Sequence, residues 1–162
     1  MRFYKSGGYE KVIENVRILK EANFLELIQI ATVFSKENLN QRYELYECVK
    51  NIGADSWQIL TMEPVGRANQ NKDLLPDVSD YMILFDFIRT IRKERKLHVT
   101  YGHSHFIGID YEMAIRDDCF TCQAGIATAG ILHNGDVFVC PAVPRLPELI
   151  QGNIRERDFC DI

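Results

Sequence analysis

Three of the five cysteines in this 162-residue chain crowd into the segment CFTCQAGIATAGILHNGDVFVC, as Cys119-x-x-Cys122 and Cys140. Between Cys122 and Cys140 two apolar stretches, residues 126–132 and 136–139, flank Asn134-Gly135-Asp136, a turn signal, and this predicts two short antiparallel strands. A hairpin returns its ends to neighbouring positions, so the two sulfurs at its base are expected to face one centre. Thiolates are soft ligands suited to zinc or an iron–sulfur cluster. The other reading is that the cysteines are small buried apolar side chains. Cys119 is a candidate third ligand through its Cys-x-x-Cys spacing, whereas Cys48 sits in an apolar helical pattern and Cys160 in a charged tail. The histidines of HVTYGHSH, His98, His103 and His105, form a second cluster in which His103 and His105 would share one face of a strand. No carboxylate motif accompanies them, and solvent-facing histidines at a strand end are the expectation.

The elements that must position these groups alternate. Residues 8–22 place Val12, Val16 and Leu19 on one helical face. Phe24 to Phe34 is an apolar, β-branched run with the length of a buried strand. Ser35 can cap a helix over 38–52, ended by Gly53, and Trp57 to Met62 is a second strand. A polar loop leads to a helix over 79–96, with Ile83, Phe87 and Ile91 in register, and Leu97 to Tyr101 is a third strand. Helix and strand alternating in this way predicts an α/β fold of parallel βαβ units. The pattern fails after residue 105, and the tail has three prolines in the seven residues 141–147. These changes place a domain boundary near residue 108, giving units 1–108 and 109–162. Three strands are few for a self-sufficient parallel sheet.

Composition excludes several classes. The chain is 46% apolar and 26% charged, as soluble globular domains are. A net charge of −4 and a pI near 5.6 argue against nucleic-acid or anionic-lipid coating. There is no apolar run of membrane-spanning length and no secretory signal, so a cytoplasmic, reducing compartment is expected.

The cysteine segment resembles a known pattern. Cys122-x12-Gly135-x4-Cys140, with Gln123-Ala124-Gly125 after the first cysteine and Gly152-Asn153-Ile154 downstream, is similar to the opening of a SPASM domain. That domain carries the auxiliary iron–sulfur cluster of many radical S-adenosylmethionine (AdoMet) enzymes. Upstream, GGYEKVIENVRILKEANFLELIQIATVFSKEN resembles a helix and strand from the second half of a radical SAM barrel, and ILTMEPVGRA its next strand and Gly-Arg-Ala loop. The resemblance implies a partial parallel α/β barrel, its C-terminal half, followed by a small cysteine-bearing β-hairpin module. It implies AdoMet and an auxiliary 4Fe–4S cluster as cofactors, with Cys122, Cys140 and Cys119 as metal ligands. Glu63, Gly66 and Arg67, on the loop after a barrel strand, become candidate cofactor-binding residues. It further implies a peptide or protein substrate.

Two departures accompany the resemblance. The family's Cys-x3-Cys-x2-Cys, which holds the catalytic cluster, does not occur in these residues, and the later SPASM cysteines are also absent. A fragment, inactive by itself, is therefore the expectation. A cut barrel would leave open sheet edges and an apolar interior face, with Ile30, Val33, Ile59 and Val99 among its residues, and so favour a homo-oligomer. The alternative is a non-catalytic module that binds zinc through Cys119, Cys122 and Cys140 or docks a protein partner.

Overall fold

The computed structural model describes residues 7–102, 105–140 and 146–162. It is a mixed α/β chain with two compact units, Met1–Phe120 and Thr121–Ile162.

The first unit begins with helix α1 (Gly8–Ala22), on which only Val16 is buried while Val12 and Ile18 stay half exposed. Strand β1 covers Gln29–Phe34, shorter than the apolar run that predicts it. Asn23 adopts a left-handed conformation at the end of α1, and Phe24, Leu25 and Leu27 are exposed, so the apolar residues before Ile28 connect rather than pair. Ser35 opens a turn, with its hydroxyl accepting from the Glu37 amide, and the helix proper, α2, runs Arg42–Asn51. Strand β2 (Ser56–Thr61), helix α3 (Val78–Glu94) and strand β3 (His98–Tyr101) follow. The α3 N-terminus carries a full capping box: Asp77 accepts from the Ser79 and Asp80 amides, and Asp80 accepts from the Asp77 amide.

The sheet is parallel, in the order β1-β2-β3, with Ile30↔Trp57↔Val99 and Thr32↔Ile59↔Tyr101 in register. These pairs mark the face that packs on the helices. Trp57, fully buried, stacks on Tyr46 and meets Phe34 and Phe87 at ring-centroid distances of 6.1–6.2 Å. Leu84, Phe85, Phe87, Ile88 and Ile91 of α3 close the core; Ile83, expected on this face, is exposed.

The opposite face corrects the expectation of a bare apolar surface. Side chains alternate along a strand, and Ile59 and Val99 fall on the core side, 0% and 1% exposed, with Ile30 packed beside them. The outer face carries Gln29, Ser56 and His98 in one row, Ala31, Gln58 and Thr100 in the next, then Val33 and Leu60. Only Val33, at 52% exposure, is a large apolar residue fully presented there. The first row is hydrogen-bonded across the strands: Gln29 Nε2 donates to Ser56 Oγ (3.2 Å), Ser56 Oγ meets His98 Nδ1 (3.0 Å), and His98 Nε2 faces Asp117 Oδ2 (3.1 Å).

A fourth helix, α4 (Ile109–Ile115), packs on α3 and β3 within the first unit. The division between units therefore falls after Phe120, and the change in sequence character near residue 108 marks the start of this helix. Its buried polar residue is what hides it in the sequence. Glu112 is fully buried where an apolar residue would be looked for, while Ile109 and Met113 are exposed.

Asp77, Asp117 and Glu112 all hold their carboxyls below the usual range. For Asp77 the causes are its hydrogen bonds from Ser79 and Lys36 and from the Asp80 amide. For Asp117 burial works upward, and Arg92 and His98 outweigh it. A carboxyl whose folded-state value is depressed stabilises the fold fully above its unfolded value, about 4, and that contribution is lost as pH falls through the folded value. Thermal melts are therefore expected to be level above about pH 5 and to fall steadily between about pH 4 and pH 2. Stability rising on acidification over that window would contradict these contacts.

The second unit is a three-stranded antiparallel sheet, β4 (Gly130–Ile131), β5 (Asp136–Phe138) and β6 (Ile150–Asn153), in that order. The first hairpin strand is far shorter than residues 126–132 suggest. Residues 123–128 instead make a turn in which the Gln123 carbonyl accepts from the amides of Ile126, Ala127 and Thr128. Strand β6 lies in the proline-bearing tail, where no period was visible. Among the described residues no helix is long and apolar enough to cross a membrane.

Candidate functional site

The carboxyl ends of parallel strands are where α/β folds gather ligand-facing groups, because loops there can vary without disturbing the sheet. At these ends of β2 and β3, Thr61 Oγ1 and the Tyr101 hydroxyl meet at 3.1 Å, both buried. Burial pushes the Tyr101 hydroxyl well above its ordinary range, so it stays protonated. Two residues past β2, Glu63 turns its Oε1 to within 3.6 Å of His105 Nδ1; the side chains are 39% and 41% exposed. The rings of Tyr81 and Tyr101 stand edge-on to the His105 imidazole at 6.5 and 6.0 Å. Gly66 begins a short turn with φ of 59°, and Arg67 follows it, exposed, its carbonyl taking the Asn71 amide group at 3.0 Å. The three candidate cofactor residues thus share one loop, and the one nearest the strand is paired with a histidine.

Behind them sits a buried ion pair. Arg116 binds Glu112 one helical turn earlier and also donates to the carbonyls of Tyr101 (3.2 Å) and His105 (3.0 Å). Glu112 further accepts from the amides of Ile107 (3.0 Å) and Phe120 (2.8 Å). Burial would raise its carboxyl; the Phe120 amide, the Arg116 guanidinium and the Ile107 amide together outweigh that and keep it ionised. These residues fix the backbone that presents His105. The i, i+4 spacing of Glu112 and Arg116 was a signal present in the sequence; Thr61 and Tyr101 gave none.

The remaining histidines separate. His98 lies at the opposite, amino end of β3 with both ring nitrogens engaged by Ser56 and Asp117. Ser56 is 2% exposed and already bonded to Gln29, so this serine–histidine–aspartate row holds strands together and offers no nucleophile. His103 lies outside the described residues.

In the second unit the two signatures noted separately, Asn134-Gly135-Asp136 and Gly152-Asn153-Ile154, prove to be one device. Asn153 Nδ2 donates to the Asn134 carbonyl (3.2 Å) and to Asp136 (2.9 Å), and the Ile154 amide donates to the Gly135 carbonyl (2.9 Å). Gly135 has φ of 94°, and a Cβ there would come within 2.5 Å of Asn153 Oδ1, so no other residue fits. Cys140 follows β5 and is half-buried, and Cys122 is exposed at the start of the turn. That turn reaches back to β5: a Cβ on Gly125 would touch Val139, the neighbour of Cys140, at 3.6 Å. Cys119 belongs to the first unit, its thiol 3.4 Å from the Met113 sulfur.

A 4Fe–4S cluster takes four thiolates. The second unit offers Cys122, Cys140 and Cys160, one short of that set, and among the described residues no three His, Cys, Asp or Glu side chains converge as a metal site. These residues do not by themselves fit a complete cluster.

Three curated proteins, each described as AdoMet-dependent heme synthase, align with 96% of this chain over 170 residues. The protein of Methanosarcina barkeri is 25% identical, that of Oleidesulfovibrio alaskensis 26%, and that of Nitratidesulfovibrio vulgaris 25%. The chain covers 46%, 42% and 45% of their respective lengths, less than half of each. No family model matches the chain. No solved structure matches it. The relatives' names agree with the AdoMet-dependent part of the resemblance.

Proposed function

We propose that this chain is part of a radical AdoMet enzyme that acts on a tetrapyrrole, its first unit the C-terminal half of a parallel α/β barrel and its second the opening of a SPASM module. The observation that carries the reading is the placement of Thr61, Glu63, Arg67, Tyr101 and His105 around the carboxyl ends of β2 and β3, in a chain that aligns along 96% of its length with AdoMet-dependent relatives. A tetrapyrrole is preferred to the peptide that the SPASM resemblance implies because all three relatives are named for heme synthesis. The polar outer face of the sheet supports the barrel, since it suits the wall of a ligand-filled interior better than a protein–protein contact.

AdoMet and a reduced iron–sulfur cluster, when bound, would supply hydrogen-abstraction chemistry toward the substrate. This chain's own residues bind and orient. Arg67, exposed on the Gly66 turn, offers a guanidinium to a carboxylate of AdoMet or substrate. The buried Thr61–Tyr101 pair ties the carboxyl ends of β2 and β3 together on the core side, and Glu63 faces His105. Arg67→Ala is expected to weaken AdoMet binding by tenfold or more in calorimetry, and Arg89→Ala, on the outer surface of α3, to leave it unchanged. Binding unaffected by Arg67→Ala would remove that residue from the site. Metal analysis after anaerobic purification separates the two readings: iron with acid-labile sulfide would support this one, and stoichiometric zinc would favour the non-catalytic module.

Self-association follows from the sheet's edges. With a polar outer face, its source would be strand addition at β1, which pairs only with β2 among the described residues. Light scattering is expected to show a concentration-dependent dimer, and a monomer at all concentrations would refute it.

A further inference from the structure

On the outer face of the parallel sheet, Gln58 of β2 lies in register between Ala31 and Thr100. It is half-buried, and its carboxamide makes no hydrogen bond among the described residues. The row below differs, since Gln29, Ser56 and His98 bond one another across the strands. The Gln58 side chain leans toward the carboxyl end of the sheet and crosses Gly102, the residue after β3. A Cβ on Gly102 would stand 2.6 Å from Gln58 Nε2 and 2.7 Å from both Cδ and Cγ. Gly102 has no positive φ, so its backbone suits any residue, and what the glycine provides is room. That room seats the carboxamide toward the strand ends from which the loop of Glu63, Gly66 and Arg67 departs. Ala31, on the other side, is small and exposed, which leaves a flat approach to the amide.

We infer that Gln58 reads the adenine of AdoMet, with Gly102 as the residue that gives its carboxamide room. The inference rests on the AdoMet reading above. A carboxamide presents an acceptor and a donor side by side. Its complement is a ligand edge that sets a donor beside an acceptor, and adenine offers that edge through its 6-amino group and N7. Gln58 Oε1 accepts from the amino group while Nε2 donates to N7. A carboxylate has acceptors only and would leave Oε1 facing negative charge, so the methionine end of AdoMet does not suit this position.

Calorimetric titration of the full 162-residue chain with AdoMet, and with its counterpart carrying hypoxanthine in place of adenine, tests this. Hypoxanthine keeps N7 and replaces the 6-amino donor by an oxygen. The wild type is expected to prefer AdoMet by about 5- to 150-fold, the range of one bidentate amide–adenine contact. Gln58→Ala is expected to bind AdoMet more weakly and to lose the preference. Gly102→Ala keeps every polar group but displaces the carboxamide, and it is expected to lose the preference as well. Gln29→Ala, on the same face, should retain it. The ratio of the two affinities isolates the base, because partial unfolding lowers both alike. A preference that survives Gln58→Ala or Gly102→Ala overturns the assignment and leaves AdoMet binding standing. Equal binding of both compounds by the wild type does the same. Equal loss of preference in Gln29→Ala marks a general disturbance of the face and also overturns it. If neither compound binds, the AdoMet reading falls, and this inference with it.

Discussion

Glu112→Ala is expected to destabilise the first unit by about 3–5 kcal/mol, the usual cost of removing one partner from a buried ion pair. Glu112 is fully buried and joins three pieces of chain: the amide of Ile107, the guanidinium of Arg116 and the amide of Phe120. Alanine would leave a buried guanidinium without its counter-charge and two amides without acceptors, each group costing about 1–3 kcal/mol unsatisfied. Part of that is recovered by local opening and water entry, which keeps the total near the pair value. The double variant Glu112→Leu/Arg116→Met should recover much of the loss, because an apolar pair has no such debt of solvation. Urea unfolding of the three proteins measures this, and amide exchange at Ile107 and Phe120 localises it. A cost for Glu112→Ala below about 1 kcal/mol, the scale of exposed pairs, would show that this carboxylate is solvated.

Reconstituted with iron and sulfide and supplied with AdoMet and a strong reductant, the chain alone is expected to release no 5′-deoxyadenosine. Reductive cleavage in the enzymes it resembles requires a cluster held by Cys-x3-Cys-x2-Cys, and no three of Cys48, Cys119, Cys122, Cys140 and Cys160 have that spacing. The same chain combined with a polypeptide that carries such a cluster segment is expected to support cleavage. Arg67→Ala in this chain should then lower the rate. Product from the chain alone would refute its expected inactivity, because it would require a cluster held by cysteines of another spacing.

The parallel sheet and its helices were legible because each strand is a short apolar run bounded by helical periods, and the lengths of β1 and α2 were overstated. What the sequence concealed was the orientation of its strands. Ile59 and Val99 are chemically suited to either face, and only the pairing register puts both on the helix side with Trp57. Helix α4 and strand β6 were missed for opposite reasons, a charged residue at the buried position of one and prolines just ahead of the other. The cysteine spacing and both glycine signatures were visible, yet their mechanical link through Asn153 depends on contacts 17 and 19 residues apart. Glu63 was legible by its place after a strand; its partner His105 was hidden inside a histidine cluster read as solvent-facing.

The order β1-β2-β3 has a consequence for how the chain acquires its shape. Every strand pairs with the one made just before it, and no later strand inserts between two earlier ones. On a ribosome, β1 must wait for residues 56–61 before it has a neighbour, and each later strand then docks on a finished edge. The sheet grows in the direction of synthesis by simple addition, and no completed pairing has to be undone. Glu112 and its partners Arg116 and Phe120 follow the three strands, so the loop that displays His105 is fastened only when Phe120 has emerged.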